Sequence, residues 1–151
     1  MSWDIFAQDF PDVATVEDIP DDFVPRTVGT RDSLIAKIIQ ACPSADFGDP
    51  SWGLIEGRDW SIDVNLGESV ESDGFALHVR GSADEVVSIV TRILDHTQLR
   101  AIDSATGEFF DPATAPNSFE QWRGYRDQIV DRSPVTPEPR KTRGLLRRLF
   151  G

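Results

Sequence analysis

The chain has 151 residues, with 26 acidic against 15 basic side chains and a net charge of −11. A chain of this length buries roughly 70% of its unfolded surface, enough for one domain with its own core, whereas so acidic a composition repels phosphate backbones and argues against nucleic acid as a partner. Cys42 is the single cysteine, which excludes an intrachain disulfide, and the opening MSWDIFAQDF has neither the basic segment nor the apolar run of a secretion signal, so a cytoplasmic setting is expected.

Taken in chain order, Trp3, Ile5 and Ala7 alternate with Asp4, Phe6 and Gln8 and predict a first strand over Ser2 to Gln8 with apolar residues on both faces. Pro11, Pro20 and Pro25, interspersed with Asp12, Glu17, Asp18, Asp21 and Asp22, make the next stretch an acidic loop, pinned by Val16, Ile19 and Phe23. Thr30 then caps a helix whose apolar stripe is Leu34, Ile35, Ile38, Ile39 and Cys42, and Pro43 stops it. Gly53 to Glu56 reads as a short strand turned back by Gly57 and Arg58. Trp60, Ile62, Val64 and Leu66 alternate with Ser61, Asp63 and Asn65, and Phe75, Leu77 and Val79 repeat the pattern against Ala76, His78 and Arg80. The stretch Gly67 to Gly74 between them, with Glu68, Glu71 and Asp73, reads as an exposed hairpin loop, so the three strands form an antiparallel meander.

Ser82 to Glu85 fits a capping box ahead of Val86, Val87, Ile89, Val90, Ile93 and Leu94. Their β-branched content favours a strand, but the cap, the length and the interspersed Ser88, Thr91, Arg92 and Asp95 predict a helix. Leu99 to Ile102 is a further strand, which Gly107 to Phe110 extends or pairs with. Ser118 and Gln121 open a third helix with Phe119, Trp122, Tyr125, Ile129 and Val130 as its buried side. Pro134, Pro137 and Pro139 form a stiff linker. Beyond Ser133 five bases stand against Glu138 alone, a net of +4, which leaves −15 on the rest of a chain totalling −11.

The reading is a single α+β domain over residues 1–133 followed by a Pro-rich linker and basic amphipathic tail over 134–151. Its order, β-α-β-β-β-α-β, resembles a split β-α-β unit enlarged by one strand: an antiparallel sheet of about five strands. Two helices cover one sheet face, the third helix lies at an edge or end, and the other face is left free. In the tail, Leu145, Leu146, Leu149 and Phe150 fall on one side of a helical turn and Arg147 and Arg148 on the other. So short a helix needs something to dock on. The acidic body or a second copy suits it better than an anionic membrane, which so few charges would hold weakly.

If the long hairpin is symmetric, Leu66 pairs with Phe75, Val64 with Leu77 and Ile62 with Val79 toward the core. Asp63 then faces His78, and Ser61 faces Arg80, on the free side. An acid beside a histidine can orient an imidazole, and a nearby arginine can hold an anion; the same set is also a plain cross-strand charge pair. No nucleophile or second base accompanies it, so no catalytic residue is assigned. A four-residue turn at Glu56 to Asp59 would put Trp52 and Leu54 on this side as a contact patch, and a three-residue turn would return them to the core. His96 sits at a helix C-terminus, where the helix dipole accounts for it. Two separated histidines and one cysteine supply no zinc set, the acidic clusters do not match a calcium loop, and no nucleotide or cofactor motif occurs, so neither metal nor cofactor is expected.

The segments SWDIFAQDFP, IPDDF, DPSWGLIEG, SIDVNLG, GFALHVRG and LRAIDSATGEFF resemble a set of small acidic bacterial proteins of uncharacterised function, over roughly Ser2 to Phe110. The resemblance implies a bacterial cytosolic origin and brings no activity with it. In composition the chain also resembles immunity proteins that neutralise toxins. The function expected is therefore a non-enzymatic module binding a basic protein through Glu68, Glu71, Asp73 and the free face around Trp52, Asp63, His78 and Arg80. The alternative is a small-molecule or anion binder, or an enzyme, using Asp63, His78 and Arg80.

Overall fold

The computed structural model describes residues 2–81 and 85–115. In chain order the elements are β1 (Trp3–Gln8), β2 (Gly29–Thr30), helix α1 (Arg31–Ala41), β3 (Asp46–Asp49), β4 (Trp52–Glu56), β5 (Trp60–Asn65), β6 (Glu71–Ser72), β7 (Gly74–Gly81), helix α2 (Glu85–Thr97), β8 (Arg100–Asp103) and β9 (Glu108–Phe109). Among the described residues the fold is α+β, with a seven-stranded sheet in the order β3-β4-β5-β7-β1-β8-β9 and a separate β2-β6 pair. Every pairing is antiparallel. The first strand lies inside the sheet, inserted between β7 and β8, so that β7-α2-β8 is a β-α-β unit split by β1.

The expected count of about five strands is low by two. β9 forms a hairpin with β8, one of the two options the sequence left open. β3 carries Asp46, Gly48 and Asp49, all poor strand formers, and is a strand because β4 supplies its backbone partners. Acids on so short an edge also discourage further strand addition.

The stretch read as an exposed hairpin loop is tied down partway along its length. Glu71 and Ser72 pair with Thr30 and Gly29, and the amides of Val28 and Arg31 donate to the carbonyls of Ser72 and Val70, both at 2.8 Å. Ser72 is buried as a result. The backbone groups of this segment found partners at the entrance to α1, a long-range pairing with no local signature.

The two helices pack on each other and on one sheet face. Leu34 and Ile38 of α1 and Val86, Val90 and Ile93 of α2 are buried with Trp3, Ile5, Ile55, Ile62, Val64, Leu77 and Val79 of the sheet. Thr30 caps α1 by accepting the Ser33 amide at 3.1 Å. Ile39, expected on its apolar stripe, is exposed, and Ala41 is buried in its stead: the arc in contact runs through positions i, i+4 and i+7 and stops short of i+5. In α2 the helical period prevails over β-branched propensity because burying one face outweighs the small per-residue preference.

The opposite face is not wholly free, as the sequence suggested. Phe10, Val16 and Ile19 are buried against Ile102, with Val13, Phe23 and Phe109 alongside, so the acidic loop lies over the β8-β9 end of the sheet. Arg100 fastens it: one guanidinium nitrogen donates to the Pro11 carbonyl at 2.6 Å, and its carbon sits 3.6 Å from the Phe109 ring centroid. The β4-β5-β7 portion of this face remains outside that cover. Ser82 of the expected capping box, the helix expected from Ser118, the proline linker and the tail residues Leu145, Leu146, Arg147, Arg148, Leu149 and Phe150 lie outside the described residues.

Candidate functional site

Register fixes which side chains meet. The β5-β7 pairing matches Ile62 with Val79, Val64 with Leu77, Asp63 with His78 and Ser61 with Arg80, the alignment a symmetric hairpin predicts. The β4-β5 turn has a tighter tip than either option weighed: Gly57 donates to the Trp60 carbonyl at 2.9 Å, leaving Arg58 and Asp59 between. Leu54 therefore pairs with Asp63, and Trp52 with Asn65. The shift from the four-residue turn is an even number, so Trp52 and Leu54 stay on the face of Asp63 and His78.

The result is a transverse row, Asp46, Leu54, Asp63, His78 and Asp4, across five neighbouring strand positions. Beside it Trp52, 42% exposed, lies almost parallel to the His78 ring, with centroids 5.7 Å apart and planes 14° from parallel. His78 is held from its other side, its Nδ1 lying 2.8 Å from Asp4 Oδ1, which also accepts the Ser2 hydroxyl at 2.5 Å. Arg80 donates to Asp63. The cross-strand neighbours Asp63 and His78 thus find separate partners: the acid takes the arginine on the same strand as the histidine, and the histidine takes an acid from β1.

Asp4 went unnoticed because nothing local reveals that β1 adjoins β7. Asp46 and Asp49 were missed for a similar reason. Asp46 pairs with Leu54 and Asp49 with Trp52, and the register slips by one between them. Three apart in a regular strand they would face opposite ways; the slip turns both toward the Trp52 side while Phe47 packs inward on the core. The Ser51 hydroxyl and then the Ser51 amide donate to Asp49 Oδ1, at 2.7 and 3.0 Å, and hold its carboxyl below the usual aspartate value, with the charge of Arg31 adding to the effect.

Glu68, Glu71 and Asp73 are all exposed, in the segment that leaves β5 at the Trp52 end of the sheet, and Val70 among them is 73% exposed. The structure thus brings Trp52, Asp63, His78 and Arg80 onto one sheet face, whereas the three loop acids lie on a separate segment, where Glu71 pairs with Thr30 at the start of α1.

No family model, no curated protein and no solved structure matches the chain. A histidine oriented by a carboxylate is half of a general-base device, but among the described residues no Ser, Thr or Cys side chain is hydrogen-bonded to the other ring nitrogen of His78. No group of three or more His, Cys, Asp or Glu among them is placed to hold a metal ion. Nor is any described helix long and apolar enough to cross a membrane. A pocket of about 170 Å³ lies elsewhere, between α2 and the β8-β9 hairpin, lined by Leu94, Leu99, Ala101, Phe109 and Phe110 among others.

Proposed function

We propose that the chain is a non-enzymatic protein-interaction module of the immunity-protein kind. It binds a basic partner through Trp52, Asp63, His78 and Arg80 on the sheet face and through Glu68, Glu71 and Asp73 in the exposed acidic loop. The observation that carries this reading is Trp52: a large aromatic side chain 42% exposed and at the same time stacked on a hydrogen-bonded histidine. A ring fixed in advance loses little conformational freedom on binding, and tryptophan and arginine dominate binding hot spots. The net charge of −11 gives such a face long-range attraction for a cationic protein.

The test is partner capture from native cell extract with three baits at low and high salt: the wild-type chain, Glu68→Lys/Glu71→Lys/Asp73→Lys, and Trp52→Ala. A basic protein retained by the first, lost from the other two and released by salt is the expected result. If charge reversal and salt leave the captured species unchanged, the reading fails.

The alternative, an anion or small-molecule site at Asp63, His78 and Arg80, draws its support from the Asp4 hydrogen bond that orients His78. Against it stands Arg80, whose guanidinium already serves Asp63. Titration with inorganic phosphate separates the two: a saturable shift of the His78 ring protons, abolished in Arg80→Gln, would favour the anion site.

A further inference from the structure

Trp52 is covered on one side by His78, so the exposure it retains belongs to the opposite ring face and the edges. Directly across from it on the edge strand stands Asp49, and one pair further along stands Asp46, opposite Leu54. The register slip in β3 is what turns both carboxylates to this side, and both are exposed. Each gives one oxygen to a local turn: Asp46 Oδ1 accepts the Gly48 amide at 2.9 Å, and Asp49 Oδ1 accepts from Ser51. The carboxylates are thereby fixed in orientation with their second oxygens not used in these bonds.

From this arrangement we infer that the partner presents an arginine side chain, its guanidinium lying on the open face of Trp52 with its N–H edge turned to Asp46 and Asp49. This rests on the reading of the chain as a binder of basic protein and names the group recognised. Guanidinium suits the site better than ammonium for two reasons. It is planar and stacks on an indole, and its forked donors meet two carboxylates at once, whereas a lysine is a compact, strongly hydrated point charge. Asp49, held ionised by the Ser51 hydrogen bonds and by the charge of Arg31, stays charged where an ordinary aspartate would begin to protonate.

The probe is a soluble peptide, acetyl-Gly-Arg-Gly-Arg-Gly-amide, with lysine and citrulline counterparts, titrated into the full-length chain while the Trp52 indole and His78 ring resonances are followed. The arginine peptide should shift both, the lysine peptide should bind more weakly, and the citrulline peptide should not bind. Trp52→Ala should weaken binding about two- to fivefold, the range of an exposed cation–π contact, and Asp46→Asn/Asp49→Asn by a similar factor, about two- to fivefold. Trp52→Phe, which keeps an aromatic face, should restore part of the loss and guards against a folding defect in the alanine variant. Equal binding of the citrulline peptide, or unchanged affinity in both the Trp52→Ala and the double aspartate variant, overturns the inference. Tighter binding by a full-length chain carrying Arg140→Gln, Arg143→Gln, Arg147→Gln and Arg148→Gln would name the chain's own tail as the occupant and overturn assignment to a partner. A captured partner lost on reversal of Glu68, Glu71 and Asp73 but indifferent to Asp46 and Asp49 leaves the general reading intact and removes this one. Peptide binding at Trp52 with no basic partner captured removes the general reading instead.

Discussion

Asp63 keeps 13% of its side chain exposed and its partner Arg80 keeps 53%, so the two halves of this ion pair answer differently to removal. Arg80→Ala strands a nearly buried carboxylate and is expected to cost about 1–3 kcal/mol, the penalty for an unsatisfied buried polar group. Asp63→Ala leaves a guanidinium already half in solvent and should cost less. Urea midpoints of the two variants check this; equal losses would mean that burial of Asp63 is not what the pair resolves. Asp49 offers a pH signature at the same scale. Its carboxyl is held below the usual aspartate value in the folded chain, so its contribution to stability is present above the unfolded value and is lost as pH falls through the folded one. Asp49→Asn should therefore differ from wild type at neutral pH and converge with it as the carboxylate range is crossed downward, read from thermal midpoints across that range.

At the scale of elements, close approach is the governing constraint. Strands β3 and β4 meet at Gly53, where a Cβ would lie 2.4 Å from the Phe47 ring. The obstacle there is the end of a half-buried side chain that can swing outward, so Gly53→Ala should cost about 1–3 kcal/mol by overpacking and also disturb the Asp46–Asp49 edge. Gly81 ends β7 at φ +105°, and an added Cβ would lie 2.2 Å from the Asp59 carbonyl oxygen and 2.5 Å from the Trp60 Cα. Backbone cannot swing aside, and the conformation itself adds strain of about 1–3 kcal/mol; Gly81→Ala is expected to be the more damaging of the two in equilibrium unfolding. In α2, Ile93 is fully buried in the core that both helices form with the sheet, and Ile93→Ala should cost about 2–5 kcal/mol.

Across the whole molecule, the acidic loop converts a two-faced sheet into one with a covered end and an open end. Its hold depends on Phe10, Val16 and Ile19 against Ile102 and on the Arg100 contacts with Pro11 and Phe109. Arg100→Ala should release it, and limited trypsin digestion is the readout: cleavage after exposed Arg26 should become faster while global unfolding shifts little. Unchanged cleavage would mean that the apolar contacts suffice. The same covering explains why the exposed patch sits where it does, on β4, β5 and β7 and away from β8 and β9.

Much of this was legible beforehand, and for one reason. Periodicity is a local property: the alternation through Trp60–Leu66 and Phe75–Val79 set the strands, their pairing followed from the loop between them, and with it Asp63, His78 and Arg80 fell on one side. The helically spaced run through Ile93 declared α2 in the same way. What the chain could not announce locally was adjacency between distant segments. That β1 would enter between β7 and β8 and bring Asp4 to His78, that Phe10 to Ile19 would cover Ile102, and that a slipped edge strand of Asp46 to Asp49 would line up with Trp52 all depend on contacts between residues far apart in sequence. Their free energy arises only once the core has closed, and so only the tertiary structure decided them.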